Sequence, residues 1–163
     1  MSVAPSLAAL APFQMGFVAR DLERAVRQFD EKLGGGPWRG WLFGPQGQGR
    51  EYTGRRADWT LRLVLNDRSP QYELIEPREG PSIHEDWLAE RGEGFHNVAY
   101  VVPSLEHLTA EMEAAGHPVA ARIQSFGADG DGAAAYFDTV DSLGFFVEAV
   151  EPIQRMPPTD FIF

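Results

Sequence analysis

Along this chain of 163 residues, a segment with the hydrophobic pattern of a β-strand is followed by one with the pattern of an amphipathic helix, and this order occurs twice. In the first half, the apolar run Phe13–Ala19 predicts a mostly buried strand. Asp21 is a suitable N-cap for the next segment, whose apolar residues fall on one helical face as far as Leu33. Separators rich in Gly, Pro, Asn and Asp then divide three predicted strands: Trp38–Phe43, Trp59–Leu65 and Tyr72–Glu76.

The second half repeats this order after a short connection. Ser82 and the residues after it have the form of a capping box, which predicts a bridging helix to about Arg91. A strand is predicted over Phe95–Val102, and Ser104 caps a helix that Gly116 ends. Three further strands complete the half: Val119–Gln124, Ala133–Phe137 and Gly144–Val150.

Two sequence echoes indicate that the halves are copies of one unit. The segment Glu73–Pro77 returns as Glu148–Pro152, and one gap-free offset aligns Gln14 with Asn97. Each unit is too small to bury a core alone, which favours a joint core. We therefore predict an α+β fold in which two tandem βαβββ modules form a pseudo-symmetric cupped sheet around a cleft.

The predicted boundaries lie within one domain, 1–163. Module one covers about 12–78, the bridging helix about 82–91, module two about 94–152, and a C-terminal tail 153–163. The tail ends in Phe161-Ile162-Phe163 after two prolines, which would expose apolar area to water if it were free. We expect it to pack on its own domain or on a second subunit, and we expect a homodimer.

Composition narrows the classes of partner. The absence of cysteine excludes thiolate catalysis and disulfides and suits a reducing cytoplasm. A net charge of −10 argues against nucleic acid, which requires clustered cations. No apolar run reaches the roughly 18 residues that a membrane span requires. The expected partner is a small-molecule substrate or ligand.

Strand alternation selects candidate site residues. The amphipathic helix must cover the bulky face of the first strand, so the other face of that strand borders the cleft. The repeat places equivalent residues of module two on the same face. Six residues follow from this argument: Gln14, Gly16, Glu73, Asn97, Ala99 and Glu148. The small side chains of Gly16 and Ala99 would leave room for substrate.

Two further residues have two possible orientations. Strict alternation directs His96 toward the helix side, but a bulge near Gly94 would turn it into the cleft as a ligand or general base. Arg62 either extends to solvent or binds an anionic substrate.

The chain resembles the vicinal oxygen chelate superfamily, which includes glyoxalase I, methylmalonyl-CoA epimerase, extradiol dioxygenases and bleomycin-resistance proteins. The similarity is greatest to the epimerase-like branch, in Glu73–Pro77, Gly92–Tyr100 and Gly144–Glu148. In that superfamily four strands each supply one ligand to a divalent metal, and those slots fall here on four residues: Gln14, Glu73, Asn97 and Glu148.

Two of these slots differ from the epimerase-like pattern, which usually has histidine at the positions of Gln14 and Asn97. Two carboxylates and two amides suit Mg, Mn or Ca better than metals that prefer imidazole. Zn, Co and Ni also stay open as metals, and so does a metal-free site.

The resemblance implies an isomerase or lyase that polarises a carbonyl and transfers a proton at the adjacent carbon. Glu73 or Glu148 would be the base, and His96 is a further catalytic candidate. The alternative is a metal-free protein of the bleomycin-resistance type, which binds or sequesters a small molecule.

Overall fold

Eleven strands form one continuous sheet in the computed structural model, which describes residues 4–44 and 49–163. The strands are β1 (Gln14–Val18), β2 (Trp38–Phe43), β3 (Gly49–Tyr52), β4 (Arg55–Arg56), β5 (Thr60–Asn66), β6 (Gln71–Glu79), β7 (Gly94–Val101), β8 (Val119–Phe126), β9 (Gly132–Phe137), β10 (Phe146–Glu151) and β11 (Phe161–Ile162). The helices are α1 (Pro5–Ala8), α2 (Leu22–Leu33), α3 (Ile83–Glu90), α4 (Leu105–Ala114) and α5 (Val140–Leu143).

The order of the strands shows the duplication. It is β11-β2-β5-β6-β1-β7-β10-β9-β8-β3-β4, with β1 and β7 antiparallel at the centre. Strand β1 pairs in parallel with β6, and β7 pairs in parallel with β10, so the two halves have the same local pairing. The predicted α+β fold of two βαβββ units is confirmed. Strands β3, β4 and β11 are additions at the outer edges of the sheet.

Helices α2 and α4 cover the outer face of the sheet. The Asp21 side chain accepts a hydrogen bond from the Arg24 amide and starts α2, and Gly34 ends this helix in the left-handed conformation. Helix α2 buries its apolar side chains with those of β2, β5 and β6. Helix α4 does the same with β9 and β10, and Ser104 caps it as predicted.

Helix α3, the predicted bridge, packs on the inner face of the sheet. Ser82 accepts a hydrogen bond from the Glu85 amide at its start. Trp87 joins a cluster with Val18, Ile75 and Phe146, all of which project inward. The helix therefore fills one part of the concave face. Over the described residues, none of the helices combines the length and the apolar character that a bilayer crossing requires.

The C-terminal tail docks on its own domain, one of the two expected positions. Strand β11 pairs antiparallel with β2, with Phe161 opposite Gly40. The Asp160 carboxylate accepts a hydrogen bond of 2.7 Å from the Leu42 amide. Trp41 Nε1 donates to the Pro157 carbonyl at 3.2 Å. The tail thus crosses the concave side between β10 and the far edge of the sheet. The homodimer stays a prediction.

Candidate functional site

A cavity of about 590 Å³ occupies the part of the concave face that α3 leaves open. Its wall combines apolar side chains of β2, β5 and β8 with the tail. Six polar or acidic residues also line it: Gln14, Gln71, Glu73, Tyr136, Glu148 and Asp160. Pockets of this size, mostly apolar with a few polar groups, are typical of sites for small molecules.

Glu73 and Glu148 project into this cavity from equivalent strands. Glu73 lies on β6 in register with Gly16, and Glu148 lies on β10 in register with Ala99. The two glutamates are 8% and 5% exposed. Glu73 Oε2 has no hydrogen-bond partner within the described part of the chain. A buried carboxyl oxygen without a partner is unfavourable in the charged form, so this atom is available to a ligand.

Burial raises the pKa of both carboxyls. Burial raises the pKa of Glu73 to about 7. The pKa of Glu148 is raised well above its usual value by burial first and by the charge of Glu73 second, while a hydrogen bond with Tyr136 opposes the shift. Two interacting carboxyls of this kind titrate as a pair. Burial and the repulsion between the two carboxyls therefore favour retention of a proton by the pair.

Asn97 is hydrogen-bonded on both sides of its amide. Its Nδ2 donates to Glu148 Oε2 at 2.8 Å, and its Oδ1 lies 2.8 Å from His96 Nδ1. The side chain occupies the space above Gly16, because a Cβ added at Gly16 would overlap Asn97 Oδ1. Asn97 is fully buried and is not among the residues that line the cavity.

This packing corrects the expectation that Gly16 and Ala99 leave room for substrate. The space over Gly16 is filled by Asn97. Ala99 is fully buried between Gln14 and Glu148 in the sheet. Neither residue lines the cavity. Their small size accommodates the protein's own amide and carboxyl groups.

His96 lies at a β-bulge, which is one of the two alternatives that the sequence left open. The pairing of β1 with β7 passes from Asn97 to Phe95 and skips His96. The ring turns inward but packs beneath α3, with centroids 4.7 Å from His84 and 5.1 Å from Trp87. Burial lowers its pKa to about 4 against the effect of hydrogen bonds to Asn97 and Ile83. His96 therefore contacts the site through Asn97 and does not line the cavity.

Gln14 lines the cavity with a partner that the sequence analysis missed. Gln14 Nε2 donates a hydrogen bond of 2.7 Å to Gln71 Oε1. Tyr136, also missed, lies opposite Glu148 in the pairing of β9 with β10. Neither Gln71 nor Tyr136 belongs to the repeated motif. The signal that could have found them is register: each lies directly across from a predicted site residue.

Arg62 does not join the site. Its guanidinium contacts Glu23 at 2.7 Å and Glu76 at 3.0 Å, and it lies over the Phe161 ring. Burial of Leu61 and Leu63 toward the cavity turns Arg62 to the other face of β5. Arg62 therefore forms a structural ion pair on the outer face, and the expected orientation toward an anionic substrate is wrong.

Two of the four predicted metal ligands, Asn97 and Gln14, are hydrogen-bonded to other groups of the protein. Across residues 4–44 and 49–163, no group of three His, Cys, Asp or Glu side chains is arranged to hold one. The oxygen of Asn97, the atom that would bind a metal, lies against His96, whereas Gln14 pairs with Gln71 through its nitrogen.

Comparison with known proteins identifies one matching family model. Residues 13–137 match the family model described as the glyoxalase/bleomycin resistance protein/dioxygenase superfamily. No functionally curated protein matches the chain.

Solved structures share the fold at low sequence identity. A point variant of methylmalonyl-CoA epimerase from Streptomyces coelicolor, in complex with 2-nitronate-propionyl-CoA, has a TM-score of 0.62 and 18% identity, covering 91% of this chain and 99% of that one. The epimerase from Mycobacterium tuberculosis has a TM-score of 0.56 and 19% identity, covering 93% of each chain. A hypothetical protein from Bacillus halodurans C-125 has a TM-score of 0.55 and 18% identity, covering 92% and 99%.

The family model covers most of the chain, and the duplicated sheet is the one that the resemblance implied. The chain belongs to the glyoxalase/bleomycin resistance protein/dioxygenase superfamily.

Proposed function

We propose that this protein is an isomerase that moves a proton at the carbon next to a carbonyl group, with Glu73 and Glu148 as the acid–base pair. The observation that carries the proposal is the pair itself: two buried carboxyls on equivalent strands face one cavity, burial raises the pKa of both, and the charge of Glu73 raises that of Glu148 further. Such arrangements are concentrated at functional sites. A purely structural pair would be costly to bury without a cation between the carboxyls.

The two carboxyls are suited to opposite roles. A general base is most effective when its pKa lies near the working pH, and burial brings the pKa of Glu73 to about 7. The pKa of Glu148 is raised by burial and by the charge of Glu73, so ionisation of Glu73 favours the protonated form of Glu148. Glu73 would remove the proton from carbon while Glu148 delivers one, which is the requirement for inverting or relocating a hydrogen.

Developing charge on the carbonyl oxygen requires a hydrogen-bond donor in the cavity. The Gln14 amide uses one N–H for Gln71 and has a second N–H in the cavity wall. The Tyr136 hydroxyl lies in the same wall but donates its one O–H to Glu148, so the donor to the carbonyl oxygen is Gln14. Asn97 is not assigned this role, because it is fully buried and does not line the cavity. No step of this scheme requires a metal ion.

Solvent exchange tests the proposal directly. The protein should catalyse incorporation of deuterium from D₂O next to the carbonyl of suitable ketones, followed by NMR. Glu73→Gln and Glu148→Gln should each lower the exchange rate by about 10²–10⁴-fold, the usual contribution of a general acid or base. Glu76→Gln is the matched control, because Glu76 is buried on the same strand and pairs with Arg62 on the opposite face.

The same experiment separates catalysis from sequestration. If ketones bind with micromolar affinity but no exchange exceeds the rate without protein, the isomerase is excluded and the binding protein is favoured. If both glutamine variants retain the full exchange rate, a different base must act.

A further inference from the structure

The wall of the cavity has a chemical character that restricts the ligand. Its largest part is apolar and includes three leucines of β5 and three aromatic rings: Leu61, Leu63, Leu65, Trp41, Phe43 and Phe126. At the rim, Leu42 is 53% exposed, Val101 41% and Met156 43%. Exposed apolar residues that continue a cavity to the surface are typical of sites that bind apolar molecules.

The formal charges in the wall are of one sign. Glu73, Glu148 and Asp160 line the cavity, whereas none of its lining residues in the described chain is Lys, Arg or His. Arg50 is buried nearby, but it lies over the Trp59 ring and 3.6 Å from Asp58 and is not a lining residue.

These charges disfavour an anionic ligand. A carboxylate or phosphate that enters loses its hydration and meets acidic groups in place of a cation. Phosphate recognition normally requires Arg, Lys or a nest of backbone amides. The cavity therefore lacks the chemistry for the phosphate groups of a CoA ester.

Among the described lining residues, Glu73 is the acidic group available to a cationic ligand, which would then occupy the proposed base. The Asp160 carboxylate accepts the Leu42 amide, and Glu148 accepts from Asn97. Glu73 is the group that the proposed function uses as the base. A neutral carbonyl needs only a hydrogen-bond donor and an apolar environment, and the wall provides both.

We propose that the cavity takes uncharged, largely apolar carbonyl compounds and discriminates against carboxylates and phosphate esters. The requirement for a carbonyl group rests on the proposed function, and the requirement for an uncharged ligand rests on the residues of the cavity wall. It separates this chain from the solved epimerase described as bound to methylmalonyl-CoA, an anionic ligand.

Isothermal titration calorimetry with matched probes tests the charge preference. Ethyl phenylpyruvate and phenylpyruvate differ in one negative charge, and benzylacetone can be compared with the amine in which an ammonium group replaces its carbonyl. The ester should bind at least about tenfold more tightly than the acid, and the ketone at least about tenfold more tightly than the amine. Equal or tighter binding of the acid or the amine overturns the proposal, and so does failure of both neutral probes to bind at millimolar concentration.

A variant tests whether the wall sets this preference. Leu63→Lys introduces a cation into the cavity and should reduce the ester-to-acid ratio at least about fivefold. Leu33→Lys is the control, because Leu33 is an exposed leucine outside the cavity, and its ratio should match the wild type. An unchanged ratio in folded Leu63→Lys overturns the role of the wall. If Leu63→Lys does not fold, the wild-type comparison alone decides.

The ligand class and the proton-transfer function can then be overturned independently of each other. Deuterium exchange on phenylpyruvate but not on its ester would overturn the substrate class and leave the proton-transfer function intact. Binding of the ester without exchange would overturn the function and leave the ligand class intact.

Discussion

Asn97 donates a hydrogen bond of 2.8 Å to Glu148, whereas its counterpart in the repeat, Gln14, pairs with Gln71 instead of with Glu73. The two modules thus have the same backbone pairing but different side-chain networks. Glu148 has the Asn97 amide and the Tyr136 hydroxyl as partners, and Glu73 Oε2 has none among the described residues. The hydrogen bonds to Glu148 favour its ionised form and oppose the effects of burial and of the Glu73 charge, so the surroundings of the two glutamates are unequal although their backbone positions are equivalent.

Removing the Asn97 amide should weaken both the fold and the site. Asn97→Leu has a similar volume but leaves Glu148 Oε2 and His96 Nδ1 without their partners. Unpaired buried polar groups each cost about 1–3 kcal/mol, so we expect the free energy of unfolding to fall by about 2 kcal/mol or more in urea titrations.

A purely structural role for Asn97 would change stability only. If Asn97 also positions Glu148, the pH profile of deuterium exchange should shift together with the rate in Asn97→Leu. The same stability loss with an unchanged profile would contradict the positioning role. Thr109→Val is a control that removes a buried polar group far from the pair on α4.

The close approach of Gly16 to Asn97 gives a second prediction. In Gly16→Ala the added methyl group would overlap Asn97 Oδ1 and displace the amide from Glu148. Overpacking of this kind costs about 1–3 kcal/mol. We expect a lower melting temperature and slower exchange. Gly49→Ala, on β3 near the edge of the sheet, would place the new methyl group 3.5 Å from the nearest described atom and should have little effect.

The sequence predicted the duplicated sheet and the glutamate pair because both depend on local periodicity and on the internal echo. Alternation along a strand is sufficient to place Glu73 and Glu148 on one face. It is not sufficient for His96, whose orientation depends on a bulge formed between β1 and β7. Gln71 and Tyr136 were missed because their positions depend on pairing between distant strands, and β11 was missed for the same reason.

The buried histidine pair gives a third prediction. Neither ring nitrogen of His84 has a hydrogen-bond partner in the described structure, and burial first and His96 second lower its pKa well below the usual value. His84→Leu removes these unpaired groups from the cluster around Trp59 and Tyr136. We expect a gain of about 1 kcal/mol in the free energy of unfolding at pH 8.

The gain in His84→Leu should grow in acid. Below pH 6.5 the unfolded chain binds a proton at His84 and the folded chain does not, so the wild type loses stability as pH falls. The leucine variant lacks this loss. Urea titrations from pH 8 to 5 measure the difference, and His107→Leu, at an exposed histidine, is the control. A difference that stays constant with pH would contradict the lowered pKa.

Glu73 should make the protein less stable as pH rises through neutrality. Its pKa is raised from 4.5 to about 7 by burial, so between these values the unfolded chain has lost a proton that the folded chain retains. Stability from this group is complete below pH 4.5 and decreases up to about pH 7, by about 3 kcal/mol at roughly 1.4 kcal/mol for each pH unit.

Glu73→Gln removes this titration. The variant should equal the wild type within error near pH 4.5 and exceed it increasingly up to about pH 7, after which the difference should level off. Glu79→Gln removes an exposed carboxyl from the same strand and serves as the control. A wild-type advantage at pH 7 would show that the folded protein holds Glu73 ionised at low cost. In that case the carboxyl would be a weaker base than proposed, and the exchange rate should then depend little on pH between 5 and 8.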